Sequence, residues 1–415
     1  MSTIPTFATR STTLALDQIN LASLDTFARP DLDGIFETLR RERPVSWHQH
    51  PDSGERGFWA VTRYDDIVRV NRDTDTFSNG QGIQVSFEGD GPRGGKGSMI
   101  EMDPPRHSRF RRLVAASFLP GAVARLEDRI RARAEAALDA FPARGGFDFV
   151  AAYATPIPMT VFYDMMGVPE ADQRRVLELA DLLFFSADPV FGGRHDRKLE
   201  AGLEIQAYGR ALARAKRASP GDDLMSALAG AEVDGERLTI DELGAFFALL
   251  GAAGADTTRA TLAFAMEALS RFADQKRLWL EDLDGRAAAA VEECIRWSTP
   301  TMHMRRTATR DTEIAGQAIK AGDKVALWFA SGNRDAAKFP EPYRFDIARA
   351  PNPHMAFGMG GPHFCLGAHL ARLELRIALP ALLSRYPGIR ATGPARSLRS
   401  NFIHGPAELP VILDG

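Results

Sequence analysis

Several features that define other protein classes are scarce in this chain of 415 residues. Its two cysteines cannot form a disulfide framework, so we expect a reducing compartment, the cytoplasm. No apolar run approaches the roughly 18 residues that a membrane-spanning helix requires, and we see no signal peptide at the start. The 51 basic and 54 acidic side chains nearly cancel at a net charge of −3, so no overall field attracts nucleic acid or an anionic membrane.

Internal repeats, low-complexity tracts and a Pro/Ser-rich linker are also missing, so we expect a single domain over residues 1–415. Alternating patterns predict strands within 45–50, 57–64 and 312–330, and again near the C-terminus. Helical periodicity predicts helices within 107–118, 122–141, 170–185 and 242–272. The expected fold class is therefore mainly α, with a smaller β-rich part.

One segment, FGMGGPHFCLG at residues 357–367, combines four glycines with Cys365. A helical pattern follows it, and a helix N-terminus favours a thiolate. The glycines let the backbone approach a flat ligand and direct N–H groups at the sulfur. The usual alternative for a lone cysteine is a small buried apolar side chain. A dinucleotide site would need a third glycine where His363 stands, and a zinc site would need further ligands at suitable spacing.

The same segment resembles the haem-binding loop of the cytochrome P450 family. Phe357, Gly360, Cys365 and Gly367 occupy the fixed positions of the family pattern FxxGxxxCxG. The resemblance extends from Asp103 to the C-terminus, and less closely before it. It implies the cytochrome P450 fold, a large helical part with a smaller β-rich part, and haem b (iron protoporphyrin IX) as cofactor. Cys365 would then be the metal ligand, the axial thiolate of the haem iron.

A second motif contains the other cysteine, in EECIRW. Glu293 and Arg296 are spaced i,i+3 on a helix, where a surface ion pair is common and contributes little. By resemblance they form the family's ExxR motif, a buried network that holds the cysteine loop together with a later arginine, placed at Arg344. Cys294 is expected to pack in the core.

A third motif interrupts the apolar helix LLGAAGADTTRATLAFA, residues 249–265. Thr257 can bond back to the carbonyl of Ala253, which bends helices. An ordinary interpretation pairs Asp256 with Arg259 at i+3. The stretch AGADTT resembles the family's acid–alcohol motif, which implies that Thr257 stabilises activated oxygen and that Asp256, facing the outer wall, relays protons from solvent.

Cationic and histidine side chains are needed for the two haem propionates. DPPRHSRFRR matches the family's DPPxHxxxR pattern, so the resemblance assigns this role to His107 and Arg111. His363, two residues before the cysteine, and Arg306, within MHMRRTATRD, carry the same role. Arg305 stays an alternative to Arg306, since a shift of one residue would exchange them. Taken singly, each is more often a solvated cation or a satisfied histidine.

No flavin or second nucleotide motif accompanies these residues, so the resemblance implies electrons from a ferredoxin and an NAD(P)H-dependent ferredoxin reductase. Arginines on the cysteine side are candidates for attracting such an acidic partner: Arg109, Arg112, Arg372 and Arg376. Solvated surface arginines are the ordinary interpretation of each. The protein is expected to be a monomer.

The substrate pocket should be apolar with few polar groups. Its candidate linings are residues 83–87, residues 184–193, Phe247, Ala253, residues 301–304 and residues 402–403. His303 offers one polar contact or fills space. The C-terminal SNFIHGPAELPV resembles bacterial members that act on sterol side chains and methyl-branched lipids, and terpenoid hydroxylases stay open.

The expected function is an O₂-dependent haem-thiolate monooxygenase that hydroxylates a hydrophobic small molecule. A haem-thiolate binding or sensing protein without turnover and a peroxide-driven oxidase are the alternatives. The Asp256–Thr257 pair, from which peroxide-using relatives often depart, favours the monooxygenase, as does the absence of an effector domain.

Overall fold

The computed structural model describes residues 11–49, 57–85, 98–185, 197–233 and 235–413. Its helices are α1 (Leu32–Glu42), α2 (Tyr64–Arg72), α3 (Arg106–Ala115), α4 (Pro120–Ala124), α5 (Glu127–Asp139), α6 (Pro156–Met166), α7 (Glu170–Phe185), α8 (Lys198–Ala218), α9 (Leu224–Gly230), α10 (Ile240–Arg271), α11 (Ala273–Leu280), α12 (Leu283–Ser298), α13 (Phe329–Gly332) and α14 (Ala368–Arg385). Its strands are β1 (Val45–His48), β2 (Phe58–Val61), β3 (Phe77–Ser78), β4 (Gly146–Asp148), β5 (Glu232–Val233), β6 (Glu236–Arg237), β7 (Met304–Ala308), β8 (Thr312–Ile314), β9 (Gln317–Ile319), β10 (Lys324–Leu327), β11 (Arg390–Ala391), β12 (Arg396–Ser397), β13 (Pro406–Glu408) and β14 (Pro410–Ile412). The expected fold class, mainly α with a smaller β part, is confirmed.

Helix α10 is the long central element, as the pattern over 242–272 predicts. A capping box starts it: the Thr239 hydroxyl accepts the Glu242 N–H, and the Glu242 carboxylate accepts the Thr239 N–H. Its 32 residues span about 48 Å, and it packs against α6, α8, α12 and α14. Phe246 belongs to one large apolar core and Leu262 to another. The glycine- and threonine-containing middle of α10 therefore lies between two packed cores.

The largest sheet has the strand order β1-β2-β10-β7-β3. Strands β2 and β10 are parallel, and the other pairs are antiparallel. In this register Arg306 lies opposite Val325 and Thr307 lies opposite Ser78. Because side chains alternate along a strand, Arg305 and Arg306 point to opposite faces of the sheet.

Two predicted elements differ from the structure. The helix predicted over 122–141 is divided into α4 and α5, because the backbone tightens at Arg125 and Leu126, whose ψ angles are −13° and −7°. The predicted strand region over 312–330 holds β8, β9 and β10 but ends in helix α13. No helix in the described ranges combines the length and apolarity that a bilayer crossing demands. The single domain stays a prediction.

Candidate active site

One cavity brings together most of the residues that the sequence motifs single out. It lies between the middle of α10, the loop before α14, and strand β7. The predicted site residues that line it are His107, Arg111, Thr257, Arg306, His363 and Cys365. Asp256 does not line it.

The loop before α14 is shaped by its glycines. Gly358, Gly360 and Gly361 have φ angles of 77°, 77° and 82°, which favour glycine over other residues. The Cys365 N–H donates to the Phe357 carbonyl at 2.9 Å, and α14 begins three residues later at Ala368. The Cys365 side chain is open to the cavity but enclosed by protein, and this burial raises the pKa of its thiol, although the backbone of Gly367 and the charges of Arg111 and Arg372 lower it. A thiolate here needs a positive partner in the cavity.

Arg306 is a buried cation that faces the cavity without an anionic partner among the described residues. Its guanidinium donates to the Arg305 carbonyl at 2.9 Å and to Asn71 Oδ1 at 2.7 Å, both neutral oxygens. Burial lowers the pKa of Arg306 to about 10, so it remains charged at neutral pH. The Arg305 side chain is also buried but lies outside the cavity lining and donates to Thr307. The geometry therefore favours Arg306 over Arg305 as an anion-binding group.

His107 and His363 form a pair of imidazoles at the cavity wall, with ring centroids 4.0 Å apart. Both ring nitrogens of His107 and Nε2 of His363 are buried without a hydrogen-bond partner among the described residues. Burial lowers the pKa of His107 to about 4 and that of His363 to about 2. Neutral imidazoles each retain one N–H donor, so these orphaned nitrogens are suited to an acceptor bound in the cavity.

The polar middle of α10 has the predicted internal hydrogen bond. The Thr257 hydroxyl donates to the Ala253 carbonyl at 2.8 Å, and the Thr261 hydroxyl donates to the Thr257 carbonyl at 2.9 Å. Ala253, Gly254 and Thr257 all line the cavity. The hydroxyl oxygen of Thr257 keeps acceptor capacity toward a group bound there.

The expectation that Asp256 faces solvent is wrong. Its side chain is buried and forms an ion pair with Arg259 Nη2 at 3.0 Å, the i,i+3 pair that the spacing permits. Arg259 also approaches Asp181 of α7 at 3.5 Å, so α7 and α10 share this cation. Asp256 Oδ2 is buried without a hydrogen bond in the described parts of the chain. Burial raises the pKa of Asp256 to about 7, although Arg259 lowers it.

The network around Glu293 corrects one residue assignment. Glu293 and Arg296 are fully buried and joined by two hydrogen bonds of 2.7 Å, as the motif predicts. The further arginine is Arg349, whose buried side chain donates to Glu293 Oε2 at 3.2 Å. Arg344 instead contributes its backbone carbonyl, and its exposed side chain pairs with Glu341. Cys294 is buried in the core as expected.

The expected pocket lining is correct only in part. Ala253, Thr301 and Met304 line the cavity, whereas Phe247, Phe402 and Ile403 do not. His303 lies outside the lining, and its polar contacts are with the backbone: its Nε2 accepts the Val85 N–H and its Nδ1 lies 2.9 Å from the Asn401 carbonyl. Residues 83–85 also lie outside the lining. Residues 86–87, residues 186–193 and the side chains of residues 184–185 lie outside what the structure describes.

Two of the arginines assigned to partner attraction already have carboxylate partners. Arg372 donates to Glu292 through two hydrogen bonds of 2.6 and 2.8 Å, and Arg109 pairs with Glu236 and Glu242. Arg112 and Arg376 are exposed.

Two residues that line the cavity were not identified from the sequence, because neither belongs to a family motif. Asn71, at the end of α2, is buried between Arg306 and the cysteine loop. Glu374 of α14 is buried, is hydrogen-bonded with Thr258, and has a pKa that burial raises to about 8. An acidic residue on an apolar helix was the available signal for Glu374. Asn71 gave none, because its importance depends on contacts distant in sequence.

These features fit a flat, metal-bearing cofactor with carboxylate groups. A cysteine thiol opens into the cavity from a glycine loop. Arg306, which has no ion pair within the described part of the chain, and the imidazole nitrogens of His107 and His363 provide donors for anionic oxygens. Haem iron with a thiolate ligand matches this donor set.

Comparisons with known proteins agree with this geometry. A family model described as cytochrome P450 matches residues 287–394. The chain is 43% identical over 402 residues to the methyl-branched lipid omega-hydroxylase of Mycobacterium tuberculosis, covering 95% of this chain and 94% of that protein. It is 33% identical over 380 residues to the steroid C26-monooxygenase of the same organism, covering 89% and 87%.

The structure also resembles that of the Mycobacterium marinum cytochrome P450 CYP268A2 in complex with pseudoionone. The TM-score is 0.89 at 44% sequence identity, and the match covers 97% of this chain and 100% of the other. The two chains therefore share both a high sequence identity over nearly their full lengths and the same fold. The chain therefore belongs to the cytochrome P450 family, as an oxygen-incorporating oxidoreductase for which haem iron is the implied cofactor.

Proposed function

We propose that this protein is a haem b monooxygenase that hydroxylates a methyl-branched lipid, a sterol side chain or a terpenoid with O₂ and electrons from a ferredoxin. The observation that carries the proposal is one cavity lined by both Cys365 and Thr257. The substrate classes follow from the relatives named for methyl-branched lipid and steroid oxidation, and from the neighbour bound to pseudoionone.

Four side chains are proposed to hold the cofactor's carboxylates. Arg306 offers a buried charge, Arg111 a second guanidinium, and His107 and His363 neutral N–H donors. Charge-assisted hydrogen bonds of this kind are roughly twice as strong as neutral ones. When bound through Cys365, haem iron supplies the activation of oxygen.

Thr257 is proposed to hydrogen-bond with the group that reacts in the cavity, and Asp256 is proposed to donate protons to it. The Thr257 hydroxyl is fixed by the Ala253 carbonyl, and its oxygen can receive a hydrogen bond from the cavity side. Asp256 has a pKa of about 7, so both of its protonation states are populated at neutral pH. A general acid with such a pKa can release and regain a proton in each turnover. Asp256 lies outside the cavity, and its ion pair with Arg259 stabilises the ionised carboxylate to which each new proton must be added.

The substrate side of the cavity is apolar. Its side chains come from α6, α10 and the start of β7 and include Phe162, Met165, Leu249, Leu250 and Met304. Such a lining excludes water and orients a hydrophobic molecule by shape. This composition supports a lipid, sterol or terpenoid substrate.

Two rival functions differ in what they require of the site. A binding or sensing protein needs the thiolate but not Thr257, and a peroxide-driven oxidase needs neither a proton relay nor a ferredoxin. The placement of Thr257 in the cavity, one residue after a buried acid, supports the O₂-dependent enzyme.

The proposal is tested first at the iron ligand. The reduced CO complex of the parent should show the red-shifted Soret band of thiolate ligation. Cys365→Ala should abolish this band, and Cys294→Ala, a substitution of the other cysteine in the core, should preserve it. Loss of the band in Cys294→Ala alone would contradict the assignment.

Turnover is tested with a panel of methyl-branched fatty acids, steroids and terpenes. Members that bind in the cavity of the haem-loaded protein should shift its absorbance spectrum, and a ferredoxin, its reductase and NAD(P)H should then yield hydroxylated product. Binding without product under these conditions supports the sensing protein. Product from peroxide but not from the ferredoxin system supports the peroxide-driven oxidase.

A further inference from the structure

Asn71 occupies an unusual position between a cavity cation and the cysteine loop. Its Oδ1 accepts a hydrogen bond of 2.7 Å from the Arg306 guanidinium. Its Nδ2 donates hydrogen bonds to the carbonyls of Gly360 at 3.0 Å and Gly358 at 3.4 Å. The residue is 6% exposed and lines the cavity. Since a guanidinium only donates and a carbonyl only accepts, these partners fix which way the amide points.

An amide is the side chain that satisfies both neighbours while leaving the arginine's charge intact. A carboxylate in its place would pair with Arg306 but would repel the glycine carbonyls. An apolar residue would leave the buried donors and acceptors unsatisfied. The charge of Asp103 raises the pKa of Arg306 from a distance, but no ion pair joins these two described residues, and the Asp103 carboxylate accepts the Ser78 hydroxyl and the Asn79 N–H instead.

We propose that Asn71 is a positioning residue that orients Arg306 without neutralising it and joins it to the cysteine loop, so that one neutral side chain aligns the carboxylate-binding and iron-binding ends of the cofactor site. The inference rests on the proposed role of Arg306 in binding haem carboxylates. It adds a residue from α2 to a site otherwise built from α3, α10, β7 and the loop before α14.

The consequence is a preference for cofactor carboxylates that depends on the neutrality of residue 71. Haem dimethyl ester, in which both carboxylates are blocked, is the probe that isolates this preference. Parent protein loaded with haem or with the ester is mixed with excess apomyoglobin, and the rate of porphyrin loss is followed by absorbance. The parent should lose the ester roughly tenfold or more faster than haem, as expected for loss of one charge-assisted pair.

N71D supplies a competing carboxylate to Arg306. It should lose haem roughly tenfold or more faster than the parent, while loss of the ester changes less, so that the preference collapses. N71S stays neutral but shortens the link to the loop. It should lose both porphyrins faster by similar factors and keep the preference. N333D is the matched control. It makes the same Asn-to-Asp change at a buried position outside the cavity, so it should leave the preference unchanged.

The outcomes separate the inference from the function on which it rests. A parent that does not discriminate between the porphyrins overturns the role of Arg306, and the inference with it. A parent that discriminates and an N71D that discriminates equally overturn the inference alone. If N71D loads neither porphyrin, N71S decides: faster loss of both porphyrins with a retained preference supports the inference, and loss of both at the parent rates, or a lost preference, overturns it.

Discussion

Replacing Asp256 by Asn tests the proton route most directly. The change keeps the shape of the side chain but removes the titrating group next to Arg259. General acid–base groups typically contribute about a hundredfold or more in rate, so turnover should fall by that order. The solvent isotope effect on turnover should grow, because proton delivery becomes limiting, and substrate affinity should stay near that of the parent.

The pH dependence has a defined sign. Burial raises the pKa of Asp256 from 3.8 to about 7, so the protonated acid that donates is lost as pH rises through about 7. The parent's turnover should therefore decline above this pH, and Asp256→Asn should lack that decline. The same shift means that the folded protein disfavours the ionised carboxylate, relative to the protonated acid, by roughly 4 kcal/mol. Folding stability from this group is present below the unfolded pKa of 3.8 and is lost as pH rises toward about 7.

Arg259→Gln and Asp181→Asn provide the controls. Arg259 lowers the pKa of Asp256, so its removal should move the decline in turnover to higher pH. Asp181→Asn removes the other acid on the same arginine, whose charge raises the pKa of Asp256, so it should move the decline to lower pH and leave the relay in place. Turnover is measured per haem-loaded enzyme, so that lost stability is not counted as lost chemistry. An Asp256→Asn variant that turns over at the parent rate refutes the relay, and equal defects in stability without a rate change assign the pair to structure.

Two further predictions concern α10 and the network around Glu293. Thr257→Ala should keep haem and substrate binding but lower product formation by roughly a hundredfold, with reducing equivalents diverted to peroxide and water; equal product per NAD(P)H in variant and parent contradicts the role. Arg349→Leu should lower the free energy of unfolding by about 3 kcal/mol, because it removes a partner of the buried Glu293, whereas Arg344→Leu should change it by less than about 0.5 kcal/mol. Thermal unfolding compares the two, and a larger loss in Arg344→Leu would reverse the correction.

The fold class and the cysteine loop were predictable because local patterns determine them. Periodicity predicted α10, and the helical pattern that follows Cys365 placed this cysteine just before a helix. The Thr257 hydrogen bond to Ala253 was also predictable, since both groups belong to one helical turn.

Contacts between distant elements were not predictable in the same way. The burial of Asp256 depends on α7, which contributes Asp181 to the shared arginine. Arg349 rather than Arg344 reaches Glu293 because the loop between them turns the Arg344 side chain outward. Asn71 joins the site from a helix nearly 300 positions away along the chain from Gly360 (|i−j| of 289). Sequence motifs report residues with a fixed spacing, and these three arrangements have none.

The ion pairs of Arg109 and Arg372 have a consequence for the kinetics of electron transfer. Both cations lie on the side proposed to receive a ferredoxin, yet each is already balanced by glutamate within the same molecule. A charge compensated at short range adds little to the long-range field that steers an acidic protein. Added salt screens only that field, with a Debye length of about 8 Å at physiological ionic strength. The association rate with ferredoxin should therefore decline less steeply with salt than it would if all four arginines were uncompensated.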